Sequence, residues 1–466
     1  MTATESELRP PPEVPLQFDI GSTDDSLERM AELFARHGDI YRVFAPGRKS
    51  YTYVIHHPDD VKRVLVSNHR NYTKGLGLDR VKILLGKGIM TSEGELWRRQ
   101  RYMMQPFFHR RVITQFAATL AEANDRLIER WERLAEAREP VNVTDEMSEL
   151  TLQIVLRSIF GADLPALSEA FEVVTREPAR NLQFAYKFRG LTRLVAAIIQ
   201  RRREHHEEHA DYVGMLMGAR DRESGQGMSE RELIDEIMTL VVAGHETTAS
   251  ALNWTWYLLS QHPEAESHLH AEIDAAPLEP APSLERMEGL AYTQQVINEA
   301  LRLYPPGWLL SRRTIEADVL GGHEIPAGAN VLIPLYLVHR HPRFWKDPER
   351  FWPERFAPEY EAQLAKGAPQ ASQPAADEAD TAGGQAGPSS DTPTEPARRP
   401  RFAYMPFAAG PRHCIGETLA LYEMLMHLYK VARRFRLLYV PDRPLELEAQ
   451  INLRTRHPLH MRLERR

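Results

Sequence analysis

The chain has 466 residues, 42% of them hydrophobic and 26% charged, with a net charge of −7, the balance of a globular protein. That charge, with basic residues spread along the chain, speaks against nucleic acid as a partner. The single cysteine excludes intramolecular disulfides and fits a reducing compartment. The N-terminus, MTATESELRPPPEVPLQFD, lacks a basic segment followed by an apolar one. No run reaches the roughly 20 apolar residues of a bilayer span. A soluble, cytoplasmic protein is expected.

Residues 1–34 read as an N-terminal extension and 35–466 as a single domain, because no linker separates segments that could fold alone. Asp39–Val43 and Tyr51–Ile55 carry the β-branched and aromatic residues of two short strands, and a helix is expected over Pro58–Val66. From there the chain is mostly helical, so the fold class is mainly α. Ser92-Glu-Gly-Glu95 has capping-box spacing and predicts the start of a helix carrying Trp97 and Arg101. Helical period continues through Phe116–Ala137, Asp145–Phe160 and Thr192–Glu208. The clearest helix opens at a second capping box, Ser229-Glu-Arg-Glu232, and stops before His262-Pro263. At 1.5 Å per residue it is about 48 Å long, and its apolar middle marks it as a central buried helix. Tyr292–Tyr304 is a further helix, ended by Pro305-Pro306. Arg312–Val319, His323–Ile325 and Asn330–Pro334 read as small strands around Gly321-Gly322. Residues from about Gln363 to Pro396 are almost wholly Ala, Pro, Gly, Ser, Asp, Glu and Thr, a composition that buries no core and reads as a disordered surface insertion. A last helix is expected over Gly416–Phe435.

Phe407-Ala-Ala-Gly410-Pro-Arg412-His-Cys414-Ile-Gly416 carries the chemistry. A lone cysteine is ordinarily a small buried hydrophobe. Here it lies in a Gly-containing turn ahead of a helix, where backbone N–H groups and the helix start stabilise a thiolate. A thiolate on haem iron pushes electron density onto the metal and favours O–O cleavage. Gly410 and Gly416 let the backbone approach a flat macrocycle; Phe407 can shield the sulfur from water, and Arg412 can neutralise a haem propionate. In the long helix, Ala243-Gly244-His245-Glu246-Thr247-Thr248 places Gly and Thr where propensity disfavours them, a local cost that points to function. The small pair Ala243-Gly244 leaves room for dioxygen. Thr247, four residues after Ala243, can bond its carbonyl and open the helix locally. His245 does not read as a metal ligand.

These stretches resemble the signatures of the cytochrome P450 superfamily: FxxGxRxCxG is matched at every fixed position, and AGx(D/E)TT falls on the long helix, with His245 at its variable position. Trp97 and Arg101 resemble its WxxxR motif, and Glu299-Ala-Leu-Arg302 with Pro353-Glu-Arg355-Phe356 its ExxR and PERF elements. The likeness runs from about residue 35 to the end, apart from the insertion, and is nearest to bacterial carotenoid and fatty-acid hydroxylases. It implies a helix-rich triangular prism with small β-sheets and a long helix over the haem. It implies haem b as cofactor, with Cys414 as the metal ligand and Phe407, Gly410, Arg412 and Gly416 around it. Trp97, Arg101 and Arg312 would hold propionates. Thr247 would hold dioxygen and the protons reaching it, and Glu246 would relay protons as a general acid. Glu299, Arg302 and Arg355 would form a buried charge network that serves the fold and not the chemistry.

The activity implied is a monooxygenase that hydroxylates or epoxidises an apolar substrate: a terpenoid, carotenoid or fatty acid. Tyr72–Met90, Phe184–Leu194, Gly307–Leu310 and Ile451–Leu453 are the expected substrate-facing segments, rich in apolar residues. The chain has no flavin or iron–sulfur segment. Electrons are therefore expected from NAD(P)H through a ferredoxin or flavodoxin and its reductase, with Arg98, Arg99, Arg110 and Arg111 as a basic docking surface. A monomer is expected. A haem-thiolate peroxygenase and a non-enzymatic haem sensor are the alternatives; neither needs an acid–alcohol pair such as Glu246-Thr247.

Overall fold

The computed structural model describes residues 8–20, 25–167, 182–206, 209–366 and 399–466. Helix α1 (Ser26–His37) presents Leu27, Met30 and Leu33 on one face. With Val14, Phe18 and Ile20 they share a core with Tyr41, Val43 and Val54 of the first two strands. Residues assigned to an N-terminal extension are thus packed into the body of the protein.

Five strands form the larger sheet: β1 (Ile40–Ala45), β2 (Ser50–Ile55), β3 (Tyr72–Lys74), β5 (Leu309–Thr314) and β8 (Asn330–Pro334), in the order β1-β2-β8-β5-β3. Only β2 and β8 run parallel. β4 (Val141–Asn142) belongs to a second sheet with β12 (His460–Arg465) and β9 (Phe435–Val440). The segment Arg312–Val319 is not one strand. Ile315 N–H donates to the Asn71 carbonyl and Glu316 N–H to the Asn71 side chain, turning the chain out of β5. It then enters a separate hairpin of β6 (Asp318–Leu320) and β7 (His323–Ile325). The two residues between them, Gly321 and Gly322, have φ of 57° and 77°, the left-handed pair that a tight hairpin turn requires.

The helices hold the main core. α2 (Gly94–Met104) begins without the expected capping box. Ser92 Oγ donates to Gln100 Oε1 at 2.6 Å instead, and the carboxylate of Glu93, the residue at the cap, is taken by Lys74 N–H and Arg412. α3 (Ala117–Ala137) and α4 (Val143–Phe160) follow as predicted. α5 (Leu182–Glu204) starts nearly three turns before Thr192. The helix at Pro58 keeps α geometry only to Lys62 and continues as a π-turn over Arg63–Ser67. α6 (Glu230–Gln261) has both halves of its capping box formed between Ser229 and Glu232. Its side chains from Leu233 to Leu259 are buried on nearly all sides, as expected of a central helix. α7 (Ala291–Leu303) ends ahead of the two prolines. α8 (Glu417–Val431) stops earlier than predicted, because Phe435 already opens β9.

Gln363–Lys366, expected in the insertion, close a helix over Pro358–Lys366; the remainder of the insertion lies outside the described residues. Among the described residues no helix is long and apolar enough to cross a membrane.

Candidate active site

The loop before α8 is shaped around Cys414. Gly410 has φ +74°, and a Cβ there would lie 2.0 Å from the Leu65 carbonyl oxygen. Its glycine is thus required by packing on the π-turn as well as by its backbone angle. Cys414 N–H donates to the Phe407 carbonyl at 3.0 Å and His413 N–H to that of Gly410 at 3.0 Å, closing the turn. Cys414 keeps accessible surface although it lies deep in the molecule. Burial pushes its thiol up. The N–H groups of Gly416 and Glu417 and the Arg101 guanidinium act against that, favouring the anion, while the Glu417 carboxylate does not. The two N–H groups are of the kind expected for a thiolate, whereas Arg101 was expected only at a propionate. A Cβ on Gly416 would meet only the Cys414 sulfur, at 4.0 Å.

On α6, Thr247 Oγ1 donates to the Ala243 carbonyl at 2.7 Å, as its spacing requires. Ala243 and Glu246 are exposed where the helix is otherwise enclosed from Leu233 to Ser260. Gly244 has a different reason for being small: a Cβ there would lie 2.9 Å from Val155 Cγ2. The absent side chain lets α4 cross α6 closely. His245 is buried, its ring nitrogen 2.9 Å from Ser148 Oγ, and burial depresses its basicity. Glu246 Oε2 accepts from Asn452 Nδ2 at 3.0 Å.

Cations gather near the cysteine loop. Arg101 Nη1 donates to the His413 carbonyl at 2.9 Å, fixing α2 to the thiol loop. Arg312 is largely buried, and Arg313 beside it is exposed. Lys74 stands directly opposite Arg312 in the β3–β5 register. Burial, with repulsion from Arg412 and Arg312, pulls its ammonium down to about 7. Like charges facing each other across paired strands repel. Among the described residues none of Arg101, Arg312 and Lys74 has an ion-pair partner within 4.0 Å. Three such cations would suit the two carboxylates of a haem held at Cys414. Lys74 was missed in the sequence, because the three-residue strand that carries it gives no pattern. Arg412 differs from expectation. Its guanidinium lies 3.9 Å over the Trp97 ring, donates to the Ser92 carbonyl at 2.9 Å and pairs with Glu93. Its charge is committed there, and Arg412 and Trp97 together brace the start of α2.

The charge network is buried and saturated. Glu299, Arg302 and Arg355 are each fully buried. Glu299 accepts from Arg302 at 2.7 and 2.8 Å, from Arg355 at 3.0 Å and from Trp352 N–H at 2.9 Å. The remaining guanidinium donors reach the carbonyls of His339, Lys346, Asp347, Pro348 and Arg350. His339 in turn accepts Met405 N–H at 3.0 Å, which ties the network to the start of the thiol loop.

Of the expected basic docking residues, Arg98 pairs with Glu95, Arg99 with Glu232 and Arg110 with Glu288. Three of the four positive charges are thereby neutralised by neighbours. Among the substrate-facing segments, Trp308 is buried with its N–H on the Gln450 carbonyl, Ile451 is exposed, and the side chains of residues 184–189 lie outside the description.

Comparison with known proteins accords with this geometry. The sequence profile of the cytochrome P450 family matches residues 8–176 and 179–461, and the chain belongs to that family. Cyclooctatin synthase of Streptomyces melanosporofaciens is 33% identical over 457 residues, 93% of this chain and 90% of that one. Cyclooctat-9-en-7-ol 5-monooxygenase of the same organism is 32% identical over 441 residues, 90% and 86% of the two chains. The crystal structure of the cytochrome P450DA heme domain superposes with a TM-score of 0.79 at 23% identity, over 98% of both chains, which shows the shared fold. The protein is accordingly a haem monooxygenase, an oxidoreductase that incorporates oxygen.

Proposed function

We propose that this monooxygenase takes electrons from NAD(P)H through a ferredoxin or flavodoxin and its reductase, and hydroxylates or epoxidises a terpenoid. When bound, haem b supplies dioxygen activation on an iron held by the Cys414 thiolate. The chain's own residues do the rest. The N–H groups of Gly416 and Glu417 stabilise the anionic sulfur, and Arg101, Arg312 and Lys74 bind the propionates. Thr247 presents its hydroxyl on the open face of α6, and Glu246, one residue away and exposed, brings protons to it.

The observation that carries this reading is the Thr247–Ala243 hydrogen bond at 2.7 Å, made where Ala243 and Glu246 interrupt a buried helix. Proton delivery is needed by an enzyme that reduces dioxygen and not by a peroxygenase or a sensor. Terpenoid is preferred within the apolar classes because both Streptomyces relatives are named for compounds of that kind. The test is turnover with NAD(P)H and redox partners in Thr247→Ala. The variant should keep its haem and oxidise NAD(P)H while releasing hydrogen peroxide in place of product. Product formation as tightly coupled as in the native protein would remove Thr247 from the mechanism.

A further inference from the structure

Glu246, Ser250 and Asn253 lie at i, i+4 and i+7 on α6 and so share one face of the helix. A hairpin of β10 (Leu447–Ala449) and β11 (Leu453–Thr455) docks on that face. Ser250 Oγ donates to the Leu453 carbonyl at 2.6 Å, and Asn253 Nδ2 reaches Thr455 Oγ1 at 3.4 Å. The turn between the strands is held from the other side too. Leu453 N–H donates to the Pro306 carbonyl at 2.9 Å, and Trp308 Nε1 to that of Gln450 at 2.8 Å. Within the turn, Gln450 N–H donates to the Asn452 carbonyl at 3.2 Å. Asn452 therefore projects from a backbone fixed on three sides, and its Nδ2 meets Glu246 Oε2 at 3.0 Å.

We infer that Asn452 is a positioning residue for Glu246, holding the relay carboxylate in one orientation beside Thr247. The inference rests on the relay role proposed above for Glu246. A long, exposed glutamate loses substantial rotamer freedom when fixed. An amide donor from a rigid turn supplies that restraint and adds no competing charge. An arginine or lysine there would bind the carboxylate as an ion pair and hold back its proton transfer; asparagine orients without doing so. The same turn carries Ile451, 65% exposed. One short segment thus carries an exposed apolar side chain and fixes the proton-carrying group.

The experiment is a double-mutant cycle on the haem-loaded full chain with NAD(P)H and redox partners. It reads hydrogen peroxide released per product formed during turnover of a terpenoid that the native protein oxidises. Asn452→Ala should raise that ratio by about tenfold, the factor expected for one hydrogen bond to a charged group. Asn452→Gln, which keeps the amide donor, should recover most of the native ratio. In a Glu246→Gln background, Asn452→Ala should add nothing, whereas a purely structural role for the turn would add the same increment in both backgrounds. Equal increments overturn the inference, as does a Glu246→Gln that leaks peroxide beside an Asn452→Ala that does not. A Glu246→Gln protein with the native ratio removes the relay reading itself, and the inference falls with it.

Discussion

Glu236 offers a sharp test of how the core of α6 is built. It sits two turns before Ala243 and is fully buried. Its Oε2 accepts Ile89 N–H at 2.8 Å, and Oε1 has no partner among the described residues. Burial raises the carboxyl from the ordinary 4.5 to about 8, with Asp235 and Glu232 adding to the rise and the Ile89 N–H opposing it. The folded protein therefore keeps a proton that the unfolded chain loses near 4.5. Over that interval the native state binds more protons, so stability falls as pH rises and levels off above about 8. At about 1.4 kcal/mol per pH unit, the ceiling on that loss is roughly 5 kcal/mol. Relaxation and water penetration lower it to about 2–3 kcal/mol. Glutamine keeps an oxygen for Ile89 and cannot ionise. Glu236→Gln should thus match the native protein under acidic conditions and exceed it by that margin under mildly alkaline ones. Urea unfolding of both proteins at acidic, neutral and alkaline pH reads the difference. Midpoints that move in parallel with pH would refute a protonated Glu236 in the native state.

Two further outcomes follow from the haem side. Gly410→Ala combines a left-handed backbone with a Cβ driven onto the Leu65 carbonyl; it should cost about 3 kcal/mol or more and leave purified protein poorly loaded with haem, as the Soret absorbance per chain will show. Lys74→Met removes one of the unpaired cations. A bound propionate raises the Lys74 ammonium above its free value of about 7. Native haem retention should be strongest below that value and be lost as pH rises through the raised one. The variant should release haem to apomyoglobin on the order of ten times faster at neutral pH, with a flatter pH dependence; identical profiles would place Lys74 away from the propionates.

Much of this architecture was legible beforehand, for physical reasons. A helix with a complete capping box and an apolar middle has few competing conformations, and α6 appeared where it was read. The FxxGxRxCxG stretch demands glycine and cysteine at fixed offsets, and the N–H groups around Cys414 lie as anticipated. What escaped depended on contacts between distant segments. The carboxylate of Glu93 answers to Lys74 N–H and Arg412 and not to its own helix, so the local capping pattern failed. Gly244 is small because of Val155, nearly ninety residues earlier in the chain. Arg98, Arg99 and Arg110 looked like a free basic patch until the fold brought Glu232 and Glu288 alongside two of them. Asn452 and Lys74 sit in strands or turns too short to give any periodic signal.

The link from Arg302 through His339 to Met405 has a consequence for how the sulfur environment responds to acid. Burial depresses His339 to about 3, with Arg302 and Arg340 reinforcing the effect, and acceptance of the Met405 amide at Nε2 leaves its proton on Nδ1. The ring is uncharged throughout the cellular range, so the anchor of the cysteine loop does not loosen or tighten as the surroundings acidify. The grip of the buried charge network on that loop is thereby independent of ambient proton concentration.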